Sequence, residues 1–107
     1  MKHYQGDDIP FELTLKNGKW SDFDCVDIYL FTNESNVVKF STANENYNSL
    51  IINDNKISGV ISSENTSLMC GNITIEIRLR KNGQDLCKRV NSNVNIFKTI
   101  IKIETYD

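Results

Sequence analysis

The segment from Ile73 to Val90 constrains the fold more than any other part of the chain. Its first half alternates apolar with polar side chains, and a turn-forming pair follows. The alternating residues are Ile73, Ile75, Ile77 and Leu79 on one side, and Thr74, Glu76, Arg78 and Arg80 on the other. A period of two residues is typical of a β-strand that buries one face. This pattern predicts a strand in a sheet that packs on a core.

Asn82 and Gly83 both tolerate a positive φ, as a two-residue type I′ hairpin turn requires. A loop closed there fixes which residues face one another across the two strands. The predicted partners are Lys81 with Gln84, Arg80 with Asp85, Leu79 with Leu86, Glu76 with Arg89 and Ile75 with Val90, and Ile77 with Lys88 is the one mismatch. Opposite charges meet in two pairs and apolar side chains in two more, each contributing about 0.2–1 kcal/mol. The agreement predicts a long hairpin.

Alternation and turn residues predict further strands along the chain. These strands are expected at 9–16, 23–32, 37–41, 50–52, 57–61 and 94–103, with a single helical turn within 62–69. A second Asn-Gly pair, Asn17-Gly18, predicts a short hairpin that places Trp20 opposite Leu15. Many short strands without a long helix are typical of a sandwich. The sequence thus predicts an all-β fold: a single antiparallel β-sandwich, immunoglobulin-like, with seven to eight short strands. A small barrel is the alternative.

Size and charge bound the organisation and the partners. A chain of 107 residues suits one domain, 1–107, and we expect residues 1–8 to form a mobile N-terminal arm. A hydrophobic content of 39% predicts a folded core rather than disorder. The formal net charge of −2 gives no reason to expect nucleic acid as a partner.

The start of the chain is too polar for a secretory signal peptide, and no apolar run reaches the roughly 18 residues of a membrane span. We therefore expect a protein without a signal peptide, made in a cytoplasm, and no membrane partner. Cys25, Cys70 and Cys87 are three in number and form no CxxC pair. We expect reduced and mostly buried thiols, with a Cys25–Cys87 bridge as the alternative.

Catalytic and metal-binding patterns are weak. His3 is the one histidine, near the start of the chain, so no Ser-His or Cys-His pair is predicted in a rigid site. Asp22, Asp24 and Asp27 lack the alternate spacing and the glycine of a calcium loop. We expect no catalytic residues, no cofactor and no metal, and hence not an enzyme.

Two surfaces remain as candidates for binding. Arg78, Arg80 and Lys88 predict a partner or anion surface, which acidic neighbours partly neutralise. Trp20 predicts a glycan platform by stacking on sugar rings, with Tyr29, Tyr47 and Tyr106 as further aromatic residues. Both surfaces have simpler interpretations, as salt pairs within a sheet and as a core tryptophan.

The order of these elements resembles that of small immunoglobulin-like β-sandwich virion proteins of tailed bacteriophages. The resemblance is carried by five segments: YQGDDIPFELTL at 4–15, the Asn-Gly pair at 17–18, SDF at 21–23, GVISS at 59–63 and GNITIEI at 71–77. In those proteins the pattern occurs in tail and baseplate modules and in capsid-decorating domains.

The resemblance implies a non-catalytic structural protein that acts as a protein–protein interaction module. It would be a capsid-decorating or auxiliary protein, or a component of the tail, neck or baseplate, present in several copies and bound to other virion proteins. The expected docking surfaces are the segment before Phe11, the loop at 42–48, and the last strand with its tail at 104–107. Two alternatives stay open: a carbohydrate-binding module, and a small intracellular regulator of a host protein.

Overall fold

The computed structural model describes residues 2–33 and 36–97. Eight strands and one short helix lie in this part of the chain. They are β1 (Lys2–Tyr4), β2 (Ile9–Thr14), β3 (Cys25–Phe31), β4 (Val38–Ser41), β5 (Ile51–Asn53), β6 (Lys56–Ile61), α1 (Ser63–Thr66), β7 (Gly71–Lys81) and β8 (Gln84–Phe97). The predicted last strand reaches 103, and its residues 98–103 lie outside the described part.

The strands form two sheets. The large sheet has the order β1-β8-β7-β3-β4, and the small sheet has the order β2-β6-β5. Neighbouring strands are antiparallel except for β1, which runs parallel to β8. The two sheets pack face to face, so the predicted all-β sandwich is confirmed. In the described residues no helix is long and apolar enough to cross a membrane.

The hairpin of β7 and β8 has the predicted register. All six predicted pairs are present, including Glu76 with Arg89 and the mismatched Ile77 with Lys88. Asn82 and Gly83 form the turn with φ of 53° and 77°. The Asn82 N–H donates to the Asp24 carboxylate at 3.1 Å, which ties the hairpin tip to the entry of β3.

The second Asn-Gly pair does not make a hairpin, and that prediction was wrong. β2 pairs with β6, more than forty positions away along the chain, through partners such as Leu13 with Ile57. Gly18, with φ of 101°, leads instead into a 3₁₀ turn at Trp20–Asp22. The Asp22 carboxylate accepts from the Lys19 N–H at 3.1 Å and stabilises this turn.

We expected residues 1–8 to form a mobile arm, and the structure gives residues 2–8 defined contacts. β1 pairs with β8, opposite Asn95 to Phe97. The segment that follows binds α1: the fully buried Thr66 hydroxyl accepts from the Gly6 N–H at 3.1 Å and donates to the Asp7 carbonyl at 2.6 Å. The Asp8 carboxylate accepts from the Ser63 N–H at 2.7 Å and so caps the helix. These bonds hold the start of the chain against the sandwich.

The loop at 42–48 also has a defined place. The Asn48 N–H donates to the Lys39 carbonyl at 2.9 Å, and the Ser41 N–H donates to the Asn48 carbonyl at 3.0 Å. The loop therefore covers the outer edge of β4, and this cover removes an edge at which another chain could add a strand.

The core lies between the inward faces of the two sheets. Its buried apolar residues are Ile9, Trp20, Val26, Ile28, Leu30, Val38, Phe40, Ile57, Ile61, Met69, Ile73 and Ile75. Gly59 of β6 lets the rings of Phe11 and Phe40 meet edge to face, with centroids 4.9 Å apart. A Cβ on Gly59 would lie 2.9 Å from Phe11 and 3.1 Å from Phe40, so the contact requires glycine.

We expect Gly59→Ala to lower the free energy of unfolding by about 1–3 kcal/mol, because the added methyl group overpacks the two rings. Urea unfolding measures the change. Ser58→Ala is the control, since Ser58 lies on the opposite face of β6, and it should stay within about 0.5 kcal/mol.

A Phe11→Leu change in the Gly59→Ala background should restore part of the loss, since it removes the ring that the methyl group meets. If the changes in unfolding free energy of the two single variants simply added in the double variant, the close contact would not be the cause of the loss.

Candidate functional site

The outward face of the large sheet carries the most concentrated charge and aromatic surface that the structure describes. Strand pairing places Lys39, Tyr29, Glu76 and Arg89 in one row across β4, β3, β7 and β8. Arg78 lies next along β7, and Tyr47 reaches the row from the loop at 42–48. Antiparallel register alone brings these side chains together, although they come from distant parts of the chain.

Glu76 lies between two arginines. Arg78 donates to its Oε2 from Nε at 2.9 Å and from Nη2 at 2.8 Å. Arg89 donates to its Oε1 from Nη2 at 2.7 Å and from Nε at 3.3 Å. The Glu76 side chain is only 10% exposed, whereas those of Arg78 and Arg89 are 58% and 53% exposed. A buried carboxylate thus holds two guanidinium groups at the surface.

The hydrogen bonds from Arg89 lower the pKa of the Glu76 carboxyl. Burial acts in the opposite direction, and the hydrogen bonds from Arg78 add to the lowering. The charged carboxylate is therefore the form that the fold favours. A lowered pKa contributes stability above the ordinary pKa of glutamate, and that stability is lost as the pH falls through the folded value.

Aromatic rings lie beside the cations of this face. The guanidinium of Arg78 stacks over Tyr29 at 4.9 Å, and that of Arg89 over Phe31 at 5.2 Å. Tyr47 meets Tyr29 edge to face at 6.1 Å. Burial raises the pKa of Tyr29 to about 12, and the neighbouring Tyr47 adds to this effect.

Two shallow grooves flank Arg78. We call the first the cationic groove; it has a volume of about 410 Å³ and is lined mainly by Tyr29, Lys39, Tyr47, Glu76, Arg78 and Arg89. The second, the tip groove, has a volume of about 400 Å³ and is lined mainly by Cys25, Asp27, Arg78, Arg80, Asp85 and Cys87. Among the described lining residues, the cationic groove has three cations and one carboxylate, whereas the tip groove has two of each, so its charges balance.

The three residues of the predicted basic surface do not share one face. Arg78 and Arg80 point outward as expected, and Arg80 binds Asp85 with Nε to Oδ1 at 2.9 Å. Lys88 lies opposite Ile77, so it points to the other side of the sheet, and its place in the surface was wrong. The cation that completes the groove is Lys39. It lies between Val38 and Phe40 in the predicted strand 37–41, and this alternation could have indicated that its side chain points outward.

Trp20 does not form the predicted sugar platform. Its side chain is part of the core at 3% exposed, and its Nε1 donates to the Asn55 carbonyl at 2.8 Å. Phe23 packs beside the ring at 6.4 Å between centroids. A buried ring with its N–H satisfied offers no open face to a sugar. Tyr106, named with it, lies outside the described residues.

The three cysteines are all free, so the alternative of a Cys25–Cys87 bridge is not what forms. Cys70 and Cys87 are exposed and Cys25 is half-buried, so the expectation of mostly buried thiols was wrong. Burial raises the pKa of the Cys25 thiol, and the hydrogen bond to Asp27 at 3.4 Å adds to that effect.

The aspartates near β3 bind separate partners instead of converging. Asp22 and Asp24 accept from backbone N–H groups, and Asp27 accepts from the Ser41 hydroxyl at 2.5 Å. Within 2–33 and 36–97, no group of three or more His, Cys, Asp or Glu side chains is placed to hold a metal ion. His3 lies in β1, opposite Ile96.

Comparison with protein-family models and with curated proteins found no match for this chain.

We expect Glu76→Gln to lower the free energy of unfolding by about 1–2 kcal/mol at pH 7, because the charge-assisted hydrogen bonds to both arginines weaken. Because the native carboxylate has a lowered pKa, the difference from the native protein should shrink as the pH falls below the usual range for glutamate. Urea unfolding at several pH values measures it.

Asp85→Asn is the matched control for Glu76→Gln. Asp85 also binds an arginine, but that pair is exposed and should contribute little to stability. Equal losses in the two variants, or a Glu76→Gln loss that does not depend on pH, would contradict the assigned role of burial.

The thiols should react in two phases with Ellman's reagent. Cys70 and Cys87 are exposed and should react first. Cys25 is half-buried and has a raised pKa, so its rate constant should be lower by about tenfold or more. Cys25→Ser should remove the slow phase alone. Three equal rates would show that Cys25 is as open as the others.

Proposed function

We propose that this chain is a non-catalytic structural protein of a tailed-bacteriophage virion and acts as a protein–protein interaction module. It serves as a capsid-decorating or auxiliary protein, or as a component of the tail, neck or baseplate. We further propose that the sandwich has immunoglobulin-like connectivity and that several copies assemble with other virion proteins.

The strand order supports the immunoglobulin-like connectivity. In such domains the strands B, E and D share one sheet, and the strands G, F, C and C′ share the other. Here β2, β6 and β5 are adjacent in the small sheet, and β8, β7, β3 and β4 are adjacent in the large sheet. If β2 to β8 are lettered B, C, C′, D, E, F and G in chain order, these neighbours support the proposed immunoglobulin-like connectivity, and α1 lies at the crossing between the sheets.

An exposed apolar patch on the small sheet carries the proposal of an interaction module. Ile51 is 69% exposed and Val60 is 53% exposed, and both lie on the outward face of this sheet. With Pro10 they line a depression of about 430 Å³. Large apolar side chains that cluster on an outward face mark protein contact surfaces.

The edge of the small sheet supports the same role. β5 is a strand of three exposed residues at that edge, and among the described strands it pairs with β6 alone. An edge of this kind accepts a strand from a neighbouring chain through backbone hydrogen bonds. The apolar patch adjoins the edge through Ile51, so a partner strand would bury both. The resemblance of the segments at 4–23 and 59–77 to phage virion proteins supports the virion as the setting.

Mass spectrometry of purified particles, with copy number per particle, tests the proposal. We expect the protein in particles. Hundreds of copies would assign it to capsid decoration, and six to a few dozen copies would assign it to a tail, neck or baseplate ring.

Ile51→Asp should lower the copy number several-fold without unfolding the protein, because it places a charge in the contact surface. Thr14→Asp, on the same outward face but away from the patch, is the control. Absence of the native protein from particles, with abundance in cells, would overturn the virion role. Capture of a one-to-one complex with a host protein would then favour the intracellular regulator, and specific binding to host polysaccharide the glycan module.

A further inference from the structure

We propose that the cationic groove is a docking site for an acidic peptide segment of a neighbouring protein. Carboxylates of that segment would bind Lys39 and the outward edge of Arg78. The inference deepens the proposed function and rests on it, because it names a second contact surface and the chemistry of its partner. It concerns the large sheet, whereas the apolar patch lies on the small one.

A surplus of positive charge in the groove defines the partner. Lys39, Arg78 and Arg89 face it, and Glu76 is the one carboxylate among its described lining residues, so these residues carry about two positive charges more than negative ones. The whole chain has a formal net charge of −2, so this surplus is local. Complementary charge selects partners and speeds their association, and here it selects an anion.

Two of the cations retain donors for such a partner. Arg78 donates to Glu76 through Nε and Nη2, and its Nη1 has no hydrogen-bond partner in the described part of the chain. The ammonium of Lys39 lies 5.6 Å from the centre of the Tyr47 ring, and no described carboxylate forms a salt bridge with it. A partner carboxylate placed between Arg78 Nη1 and the Lys39 ammonium would accept hydrogen bonds from both.

Glu76 prepares the groove for binding. Its two oxygens accept hydrogen bonds from Arg78 and Arg89, and each guanidinium group also lies over an aromatic ring, Tyr29 or Phe31. Long charged side chains normally lose conformational freedom when they bind, and this loss weakens affinity. Because these arginines are already ordered, a partner meets a fixed donor surface.

The rings of the groove favour a peptide over a glycan. Sugar stacking needs an open aromatic face, yet cations cover a face of Tyr29, Phe31 and Tyr47. Phe31 is in addition only 7% exposed. The same cover disfavours single-stranded nucleic acid, whose bases stack on open rings. The carboxylates of a flexible peptide need only hydrogen-bond donors to bind, and those of Lys39 and Arg78 point outward.

The test is a titration of the ¹⁵N-labelled protein, followed by NMR, with a short capped peptide of alternating glutamate and glycine. The matched control peptide carries glutamine in place of glutamate. We expect the glutamate peptide alone to shift the amides around Tyr29, Lys39, Tyr47 and Arg78, with an affinity that falls several-fold between low and physiological salt.

Lys39→Gln should weaken binding of the glutamate peptide about three- to tenfold, as removal of one charge contact does. The variant should stay folded, since Lys39 is exposed and forms no salt bridge with a described residue. Arg80→Gln is the control, because Arg80 is exposed and lies in the tip groove, and its effect should stay below twofold.

Three results would overturn the proposal: no shifts at millimolar peptide, equal shifts with the glutamine peptide, or an affinity that Lys39→Gln leaves unchanged. Shifts caused by an oligogalacturonate and not by the peptide would instead assign the groove to an acidic glycan. Because the titration needs no particles, its failure is separate from failure of the virion role, which the particle mass spectrometry decides.

Discussion

The pairing of β7 with both β3 and β8 is the constraint on which the rest of the structure depends. β7 is eleven residues long and central in the large sheet, and its neighbours are in register along most of its length. A shift of one residue would exchange its two faces, so that Ile75 would leave the core and Glu76 would enter it. The tight turn at Asn82-Gly83 and the cross-strand charge pairs prevent that shift. Core and outward face are therefore fixed together.

The charge pattern on the outward face of the large sheet then depends on which of its charged side chains are buried. A pair of charges on an exposed strand contributes little, and Arg80 with Asp85 is such a pair. Glu76 differs because the row of neighbouring side chains shields it from water, and its hydrogen bonds strengthen accordingly. One shielded carboxylate orders Arg78 and Arg89, and so turns a mixed-charge strand surface into a groove with a defined positive edge. The outward face of the small sheet differs: its one described ion pair, Lys56 with Glu12, is exposed, and an apolar patch at Ile51 and Val60 lies beside it.

Sequence patterns within one segment predicted the structure better than patterns that depend on contacts between distant segments. The β7–β8 hairpin was predictable because its register follows from a two-residue turn and from alternation within one segment. The hairpin predicted from the Asn-Gly pair at 17–18 was wrong, since β2 pairs instead with β6, where Gly59 leaves room for the ring of Phe11. Lys88 carries the charge of the predicted surface but lies on the other side of the strand, because it pairs with Ile77 and alternation turns it away from Arg78 and Arg80. The contacts of Gly6 and Asp7 with Thr66 were not visible in the sequence, because Thr66 is about sixty positions away.

The sequence by itself determined the fold class, the long hairpin with its register, and the pairing of Glu76 with Arg89, because alternation, turn chemistry and cross-strand charge are local properties. Only the tertiary structure decided which side chains lose contact with water. It buried Trp20 in the core, shielded Glu76 between two arginines, and brought Lys39 from another strand to complete the groove. The physical reason is that burial and convergence depend on contacts between segments far apart in the chain, and no local pattern encodes those contacts.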